Sequence, residues 1–303
     1  MQLNQAMTVH AGPGPASWLS LRLACREPFD PAGLLGFLAA RAIPGVEQVT
    51  GTGYTRTVRT PGGPGVIELA PRPGQAHVLL RARPREPAAP SQLVAACRRL
   101  LDADADPAAI DAVLAADPML APLVRARPGL RVPGAYDGFE LAVRAVLGQQ
   151  VSVAAARTFA GRLAARYGHR IPPGTGPPGL TVLFPGPAEL AGADLSGLGL
   201  TTARQRTLRA LASAAAAGRL SLGPGADPAE TAAQLAGLPG IGPWTVGYIM
   251  LRSGADPDRF PAGDLGLRRA LARLGGTPEQ AARWRPWRGY AAIHLWTWEA
   301  DHA

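Results

Sequence analysis

The chain has 303 residues, 47% of them hydrophobic, and its 31 basic residues outnumber 22 acidic ones, giving a net charge of +9 at pH 7. Every basic residue is arginine, which excludes chemistry that needs a lysine amine, namely a Schiff base with the substrate or a Walker-type phosphate loop. Two cysteines exclude a zinc ribbon or an iron–sulfur cluster, which take about four ligands, and the basic surplus favours a polyanionic partner such as nucleic acid.

Residues 1–15 are predicted to form a flexible leader. They carry neither the basic start nor the apolar run of a signal peptide. No apolar stretch of the chain approaches the roughly 18 residues that span a membrane. We therefore expect a cytoplasmic protein with no membrane partner, in which Cys25 and Cys97 do not form a disulfide.

Residues 16–90 are predicted to form an α+β domain with a small antiparallel sheet and one or two helices. A strand is predicted in SWLSLRLACRE, and Asp30 and Pro31 then begin a helix, AGLLGFLAARAI. Further strands are predicted in VEQVTGTGYTRTVRT, GVIELAPR and HVLLRARP, which PGGPG and PGQ turns separate.

Residues 91–303 are predicted to be mainly helical, with Pro- and Gly-rich turns and no strand. Asp102, Asp104 and Asp106 have the spacing of a calcium-binding loop, but Pro107 interrupts them and the required glutamate is missing. They are better explained as a helix end followed by a helix N-cap.

The next helices have recognisable starts. Asp137 and Glu140 are predicted to form a capping box on a helix that ends at Gly148, and Ser152 caps the helix that follows. The segment HRIPPGTGPPGL is predicted to be a surface loop. Further helices are predicted in PAELAGAD, TTARQRTLRALASAAAAG and DPAETAAQLAGL.

The stretch LPGIGPWT places two glycines and two prolines before a predicted helix, PWTVGYIMLRSG. A dinucleotide-binding loop is a poor explanation, because the segment before it is helical rather than a strand. A plain helix–turn–helix connector is the second alternative. The third, which we favour, is a hairpin that grips a DNA backbone. Its bare turn, Gly240, Ile241 and Gly242, leaves the first amides of the second helix to bind a phosphate.

Several stretches together resemble the AlkA-type 3-methyladenine DNA glycosylases of the helix-hairpin-helix superfamily. They are GLLGFLAARAIPGVEQV, ARPGLRVPGAYDGFELAVRAVLGQQVSVAAA, LPGIGPWTVGYIMLR, FPAGDLGLRR and RWRPWRGYAAIHLW. The resemblance implies an α+β N-terminal domain and a helical glycosylase domain of two lobes that flank a cleft. It implies hydrolysis of the N-glycosidic bond of alkylated bases flipped out of double-stranded DNA, leaving an abasic site in base-excision repair. It also implies a monomer, associated with a bacterial nucleoid, that needs no cofactor.

Asp264 matches the catalytic aspartate of that family, and it also stands where a helix N-cap is expected. The two roles are compatible, since a cap holds the carboxylate in place. When the base departs, positive charge develops on the deoxyribose, and a fixed carboxylate stabilises it or orients the attacking water. Family members that also cleave the strand carry a lysine just after the hairpin. Trp244 occupies that position here, so a monofunctional enzyme without lyase activity is expected.

Trp244, Tyr248 and Trp296 match the residues that line the base pocket in the family. Aromatic residues four apart on a helix more often belong to a core, and the other C-terminal tryptophans are expected to pack there. An electron-rich ring nevertheless attracts a base that methylation has made cationic. We therefore expect a roomy pocket that forms few hydrogen bonds with the base.

Gln149 and Gln150 lie in the loop that enters the minor groove in the family, where one residue fills the gap left by the flipped base. The best-known member has a leucine at the position of Gln150, and glutamine is a weaker apolar wedge. A polar turn is the alternative. Four arginines are candidates for phosphate contacts, with a solvated surface position as the alternative for each: Arg204, Arg206, Arg268 and Arg269.

The resemblance further implies that the backbone carbonyls of Leu238 and Ile241 hold a structural Na⁺ or K⁺, and that His294 is structural. Two other functions stay open. One is the same scaffold acting on deaminated bases such as uracil or hypoxanthine, which the pocket residues do not exclude. The other is a non-catalytic protein that binds damaged DNA, against which Asp264 argues.

Overall fold

The computed structural model describes residues 7–9, 18–60, 62–72, 74–83 and 90–302. Three residues of the predicted leader, Met7–Val9, form a short strand, β1. It pairs antiparallel with Leu19–Ala24, β2. The rest of the predicted leader lies outside the described residues.

Six antiparallel strands form one sheet in the order β1-β2-β6-β5-β4-β3. After β2, the strands are Glu47–Thr50 (β3), Gly53–Thr60 (β4), Gly63–Pro71 (β5) and His77–Arg83 (β6). Buried and half-buried residues alternate along β6, as expected of a strand with one face on a core. The predicted antiparallel sheet is confirmed.

Two helices pack against this sheet, Pro31–Arg41 (α1) and Pro90–Leu101 (α2). All but the first residue of α2 lies in the stretch 91–303, which was predicted to belong to the helical domain. α1 begins where predicted, because the Asp30 carboxylate accepts from the Gly33 N–H at 2.8 Å and Pro31 occupies the first turn. The apolar faces of both helices and of the sheet form one core, which includes Leu23, Leu34, Ile67, Leu80, Cys97 and Leu100.

The rest of the described chain is mainly helical, as predicted. Its helices are Pro107–Ala115 (α3), Ala121–Ala126 (α4), Gly138–Leu147 (α5), Val153–Tyr167 (α6), Pro187–Ala191 (α7), Thr202–Ala216 (α8), Pro228–Ala236 (α9), Pro243–Arg252 (α10), Leu265–Arg273 (α11) and Arg288–Asp301 (α12). A 3₁₀ helix, Pro278–Trp284, precedes α12. None of the described helices is long and apolar enough to cross a bilayer.

Two short strands, His169–Arg170 (β7) and Val182–Leu183 (β8), pair in a region predicted to contain none. The prediction was wrong because strands of two residues show no alternating pattern. A tertiary contact holds them in place: the N–H groups of Thr181 and Val182 donate to the Gly45 carbonyl at 2.8 and 3.1 Å. The first of these strands lies inside the predicted surface loop.

The capping box predicted on α5 is only half formed. The Asp137 carboxylate accepts from the Glu140 N–H at 2.8 Å, but the Glu140 carboxylate is buried and pairs with Arg56 at 2.5 Å and Arg144 at 3.0 Å. Arg144 also pairs with Glu47 at 2.9 Å. Burial alone would raise the pKa of Glu47, but the guanidinium groups of Arg144 and Arg56 outweigh it and lower that pKa. A buried network of four charges therefore joins the sheet to α5.

Two hydrophobic clusters build the helical part. One is formed mainly by α5, α6, α8 and α10, and it includes Val143, Leu163 and Leu211. The other joins α3 and α4 to α11 and α12 around Leu271 and Trp284. The segment from α10 to α11 passes from one cluster to the other, and the candidate site lies along it.

Asp102 links the end of α2 to the second cluster. It has a φ of 50°, and its Oδ2 accepts from the Tyr290 hydroxyl at 2.8 Å and from the Val132 N–H at 3.1 Å. Burial raises the pKa of this carboxyl from 3.8 to about 6. The folded protein therefore binds a proton here more tightly than the unfolded chain does.

We expect Asp102→Asn to change how stability depends on pH. Asparagine tolerates a positive φ and keeps an oxygen acceptor for Tyr290. Because the folded pKa is raised, the stabilisation from proton binding is complete below about pH 4 and lost as the pH rises through about 6. The free energy of unfolding of the wild type, relative to the variant, should fall by about 3 kcal/mol in all, most of it between about pH 3 and about pH 7. Urea denaturation measures it, and a pH-independent difference would contradict the prediction.

Candidate active site

Gly240 makes the tight turn between α9 and α10. Its φ is 78°, and a Cβ there would lie 2.1 Å from the Thr207 Oγ1 on α8. The Ile241 N–H closes the turn by donating to the Leu238 carbonyl at 3.2 Å. Both the backbone conformation and the contact with α8 therefore require glycine.

Gly242 has different surroundings at the N-cap of α10. It is exposed, its φ is −92°, and no atom lies within 4 Å of where a Cβ would stand. It has no side chain to accept from the first amides of α10, and Pro243 lacks an N–H. The positive end of this helix is therefore open to an anionic group.

Asp264 is the N-cap of α11, as predicted, and its carboxylate accepts three hydrogen bonds. Oδ1 accepts from the Leu267 N–H at 2.9 Å and from the Trp296 indole N–H at 2.8 Å. Oδ2 accepts from the Trp244 indole N–H at 2.8 Å. Three donors from three helices thus hold the carboxylate in one orientation.

The predicted pocket aromatics are brought together around this carboxylate. The rings of Trp244 and Tyr248 stack at a centroid distance of 5.4 Å and an angle of 17°. Tyr248 meets Trp296 edge-on at 6.2 Å. Together with Asp264 they line a cleft of about 1310 Å³, which is large enough for an extruded nucleotide.

Two apolar residues on the rim of this cleft were not predicted. Val153 at the start of α6 and Leu265 at the start of α11 are 41% and 61% exposed, and both line the cleft. Exposed apolar side chains beside a cleft are typical of a contact surface. The sequence offered no signal, since each stands at a helix start where exposure depends on tertiary packing.

The other residues that sequence reasoning missed are polar. Arg41 of α1, Arg144 of α5 and Arg252 of α10 line the cleft, as does Phe37. Arg252 Nη1 donates to the Tyr248 hydroxyl at 2.6 Å, and burial lowers the pKa of the Arg41 and Arg252 guanidinium groups. The pocket was expected to form few hydrogen bonds with a base, but three guanidinium groups that can donate hydrogen bonds line the cleft. Of these residues, only Arg252 could have been found from the sequence, because it stands four residues after Tyr248 and therefore on the same face of the helix.

The two loop glutamines differ in their contacts. The Gln149 amide donates to the Gly240 carbonyl and to the Thr245 hydroxyl, both at 2.9 Å, so this side chain joins the loop to the hairpin. Gln150 is exposed with a φ of 55°. Arg204 Nη2 donates to the Gln149 carbonyl at 2.5 Å, which makes Arg204 a support of the loop.

The remaining predicted residues fall into two groups. Arg206, Arg268 and Arg269 are exposed, as phosphate contacts require, and Arg269 lines the cleft. His294 is buried on α12, and burial lowers its pKa to about 4. Trp284 is fully buried and donates its indole N–H to Asp117 at 2.9 Å.

A group of His, Cys, Asp or Glu residues able to hold a metal is absent from the described parts of the chain.

The expected monovalent cation would use the carbonyls of Leu238 and Ile241. The Leu238 carbonyl already accepts from Ile241, and the Gly240 carbonyl between them accepts from Gln149. A hard cation normally takes about six oxygen ligands, so these residues supply only part of a site. The cation stays a prediction.

Comparisons with known proteins assign a family to the N-terminal part of the chain and another to the helical part. Residues 20–137 match the AlkA N-terminal domain family, and residues 143–285 match the HhH-GPD superfamily of base excision DNA repair proteins. DNA-3-methyladenine glycosylase 2 of Escherichia coli strain K12 is 37% identical over 290 residues, which cover 92% of this chain and 98% of that protein.

A probable bifunctional transcriptional activator/DNA repair enzyme AlkA from Mycobacterium tuberculosis strain H37Rv is 46% identical over 288 residues. These cover 93% of this chain but only 57% of that protein. Among solved structures, a 3-methyladenine DNA glycosylase from Archaeoglobus fulgidus superposes with a TM-score of 0.79 at 19% identity, covering 93% of this chain and 99% of that one. That likeness supports the fold.

The two hairpin glycines should respond differently to substitution. Gly240→Ala places a Cβ against Thr207 in a left-handed conformation, and we expect it to lower the free energy of unfolding by about 2 kcal/mol or more. Gly242→Ala meets open space at an allowed φ and should cost less than about 1 kcal/mol. Urea denaturation of both variants tests this, and equal losses would contradict it.

Proposed function

We propose, because the chain belongs to the AlkA-type glycosylases of the HhH-GPD superfamily of base excision DNA repair proteins, that it hydrolyses the N-glycosidic bond of alkylated bases in duplex DNA. The observation that carries the proposal is the Asp264 carboxylate. It is held by two indole N–H groups and a helix amide at the wall of a cleft with aromatic sides.

The carboxylate acts on the charge that forms during the reaction. As the bond between C1′ and the base breaks, the electron pair leaves with the base, and the deoxyribose becomes cationic. A fixed negative group stabilises this cation without the reorganisation that water would need. The same oxygens orient a water molecule, which adds to C1′ and yields the abasic sugar after losing a proton.

The hairpin supplies binding that does not depend on DNA sequence. A phosphate sits at the open N-terminus of α10, where Gly242 allows close approach of the backbone. The exposed arginines Arg206, Arg268 and Arg269 add charge, and Val153 and Leu265 add apolar contact at the rim. The damaged nucleotide turns out of the duplex into the cleft.

The rings of Trp244, Tyr248 and Trp296 form the walls against which the base lies. An alkylated purine with positive charge on its ring is attracted to such rings, and alkylation also makes it a better leaving group. The absence of lysine removes the amine that strand cleavage through an imine requires. The two activities in the name of the mycobacterial relative are transcriptional activation and DNA repair.

Asp264→Asn should reduce base release at least about 100-fold, because the negative charge is lost and the new amide nitrogen faces an indole donor. The substrates are duplexes with 3-methyladenine, 7-methylguanine, 1,N6-ethenoadenine, hypoxanthine or uracil, and abasic sites are scored after alkali. Asp117→Asn is the control, because Asp117 also accepts from an indole, that of Trp284. We expect this variant to retain release.

Each outcome of that assay has a definite meaning. No release from any duplex by the wild type would remove the enzyme proposal and favour a protein that only binds damaged DNA. Full release by Asp264→Asn would overturn the mechanism while leaving the reaction. Strand cleavage before alkali is added would contradict the expected monofunctional activity.

Gly242→Asp tests the phosphate site separately from folding. Aspartate is a favoured N-cap, so α10 should be kept, yet its charge would repel a phosphate at that point. We expect the Kd for a duplex with an abasic-site analogue to rise at least about tenfold at fixed salt, measured by fluorescence anisotropy. Gly192→Asp, at an open glycine with a φ of −102° beyond α7, carries the same charge change and should bind like the wild type. Equal effects of the two would count against the site.

A further inference from the structure

Three guanidinium groups meet at one wall of the cleft. Arg41 of α1, Arg144 of α5 and Arg252 of α10 all line it. Together they lower the pKa of the Tyr248 hydroxyl, against the opposing effect of burial, and Arg252 Nη1 donates to that hydroxyl at 2.6 Å. This side of the aromatic pocket is therefore positively charged.

The two carboxylates that pair with Arg144 are shared with a second arginine. Glu47 pairs with Arg144 at 2.9 Å and with Arg56 at 3.7 Å. Glu140 pairs with Arg144 at 3.0 Å and with Arg56 at 2.5 Å. In this network two negative charges balance two positive charges, so it leaves nothing to neutralise the other two guanidinium groups of the wall.

Those two groups donate to neutral oxygens. Arg41 Nη1 donates to the Phe37 carbonyl at 3.3 Å. Besides the tyrosine hydroxyl, Arg252 donates to the Gly134 carbonyl at 3.0 Å and to the Pro133 carbonyl. Burial lowers the pKa of both guanidinium groups, but arginine stays protonated at neutral pH. Two positive charges are thus left without a carboxylate partner in the described parts of the chain.

Both charges lie against rings of the cleft. Arg252 Cζ is 5.5 Å from the centroid of the Tyr248 ring and 4.6 Å from that of Phe37, and Arg41 Cζ is 3.6 Å from the Phe37 centroid. A base that lies against the Tyr248 ring is therefore close to them. Because the site is partly closed to water, the interaction of these charges with the base is weakly screened.

This surplus of positive charge matters for bases that are uncharged before they leave. When the bond between C1′ and the base breaks, its electron pair goes with the base. A base that alkylation has made cationic departs as a neutral molecule, whereas an uncharged base departs as an anion, which then takes up a proton from water. Fixed positive charge beside the base stabilises the anion more than the uncharged base from which it forms.

We propose that the guanidinium groups of Arg41 and Arg252 stabilise the negative charge on departing uncharged bases, so that this cleft releases neutral lesions such as hypoxanthine and 1,N6-ethenoadenine in addition to cationic ones. The inference rests on the proposed function, and it names a second substrate class for the same site. Asp264 stabilises the sugar cation in both reactions. The two arginines act on the leaving base, and they favour its departure only when it is uncharged.

The test compares hypoxanthine with 7-methylguanine, two 6-oxo purines that differ in charge. Duplexes with either base are mixed with excess enzyme in mildly acidic solution, where 7-methylguanine in DNA keeps its positive charge, and the single-turnover rate of base release is measured. Arg41→Met keeps an apolar contact with the Phe37 ring and removes the charge. It should lower hypoxanthine release at least about tenfold more than 7-methylguanine release.

Two further variants are controls for this comparison. Arg41→Lys keeps the charge, and it should return the ratio of the two rates to within about threefold of the wild type. Arg26→Met loses the same charge outside the cleft, where Arg26 is exposed and pairs with Asp106 at 2.7 Å, and its ratio should equal that of the wild type. Equal losses for both bases in Arg41→Met, or a selective loss that Arg41→Lys does not restore, would overturn the inference.

Failure of the inference and failure of the proposed function give different results with the wild type. Release of 7-methylguanine but of neither hypoxanthine nor 1,N6-ethenoadenine would overturn the inference and leave the proposed function standing. Release of none of the three bases would count against the proposed function, and the inference would fall with it.

A second measurement on the wild type decides the matter if Arg41→Met does not fold. Free xanthine loses a proton near neutral pH, whereas free hypoxanthine stays largely uncharged there. In equilibrium dialysis, xanthine binding should tighten at least about threefold from mildly acidic to mildly alkaline solution, while hypoxanthine binding changes little. Parallel behaviour of the two bases would overturn the inference.

Discussion

The carboxylate of Asp264 is the group on which the arrangement of the site depends. It caps α11 and accepts from indoles on α10 and α12, so three successive helices meet at one side chain. Without it, the two half-buried indole N–H groups of Trp244 and Trp296 would lose their partner. The same interaction therefore orients the charge and holds the aromatic wall around it.

Helix α10 connects the recognition of a backbone to the pocket. Gly242 opens its first turn, and Trp244, Tyr248 and Arg252 follow at intervals of four residues on one face. The Gln149 amide fastens the neighbouring loop to the hairpin turn and to Thr245. Helix α10 would therefore hold an anion at its first turn, and it holds Asp264 through the indole of Trp244. Because both contacts belong to one rigid helix, the anion would lie at a fixed distance from the carboxylate.

The sheet domain is part of the cleft as well as of the scaffold. Its helix α1 brings Phe37 and Arg41 to the cleft. Buried ion pairs fix the sheet domain against α5, because Glu47 and Arg56 pair with charged residues of that helix. Such a network is expensive to bury unless every charge is paired, and here each carboxylate meets two guanidinium groups. The polarity of the pocket therefore depends on a domain in which the sequence showed no chemistry.

Local signals in the sequence determined much of this protein. The caps at Asp30, Asp137 and Asp264 were predictable because each carboxylate accepts from an amide three residues on. Strand β6 was predictable because successive side chains of a strand point to opposite faces, so its buried residues alternate. The absence of lysine is likewise a property of the sequence. The family resemblance added the pocket aromatics, which no spacing distinguishes from a core.

Tertiary structure alone decided the partners of Glu140, Gln149 and Arg204, and it brought Arg41 to the cleft. These contacts join residues on different elements, and the energy of a buried polar group depends on which atoms surround it rather than on its neighbours in sequence. A glutamate three residues after a cap reads as a capping box until a guanidinium from a distant strand offers it a stronger, charged partner.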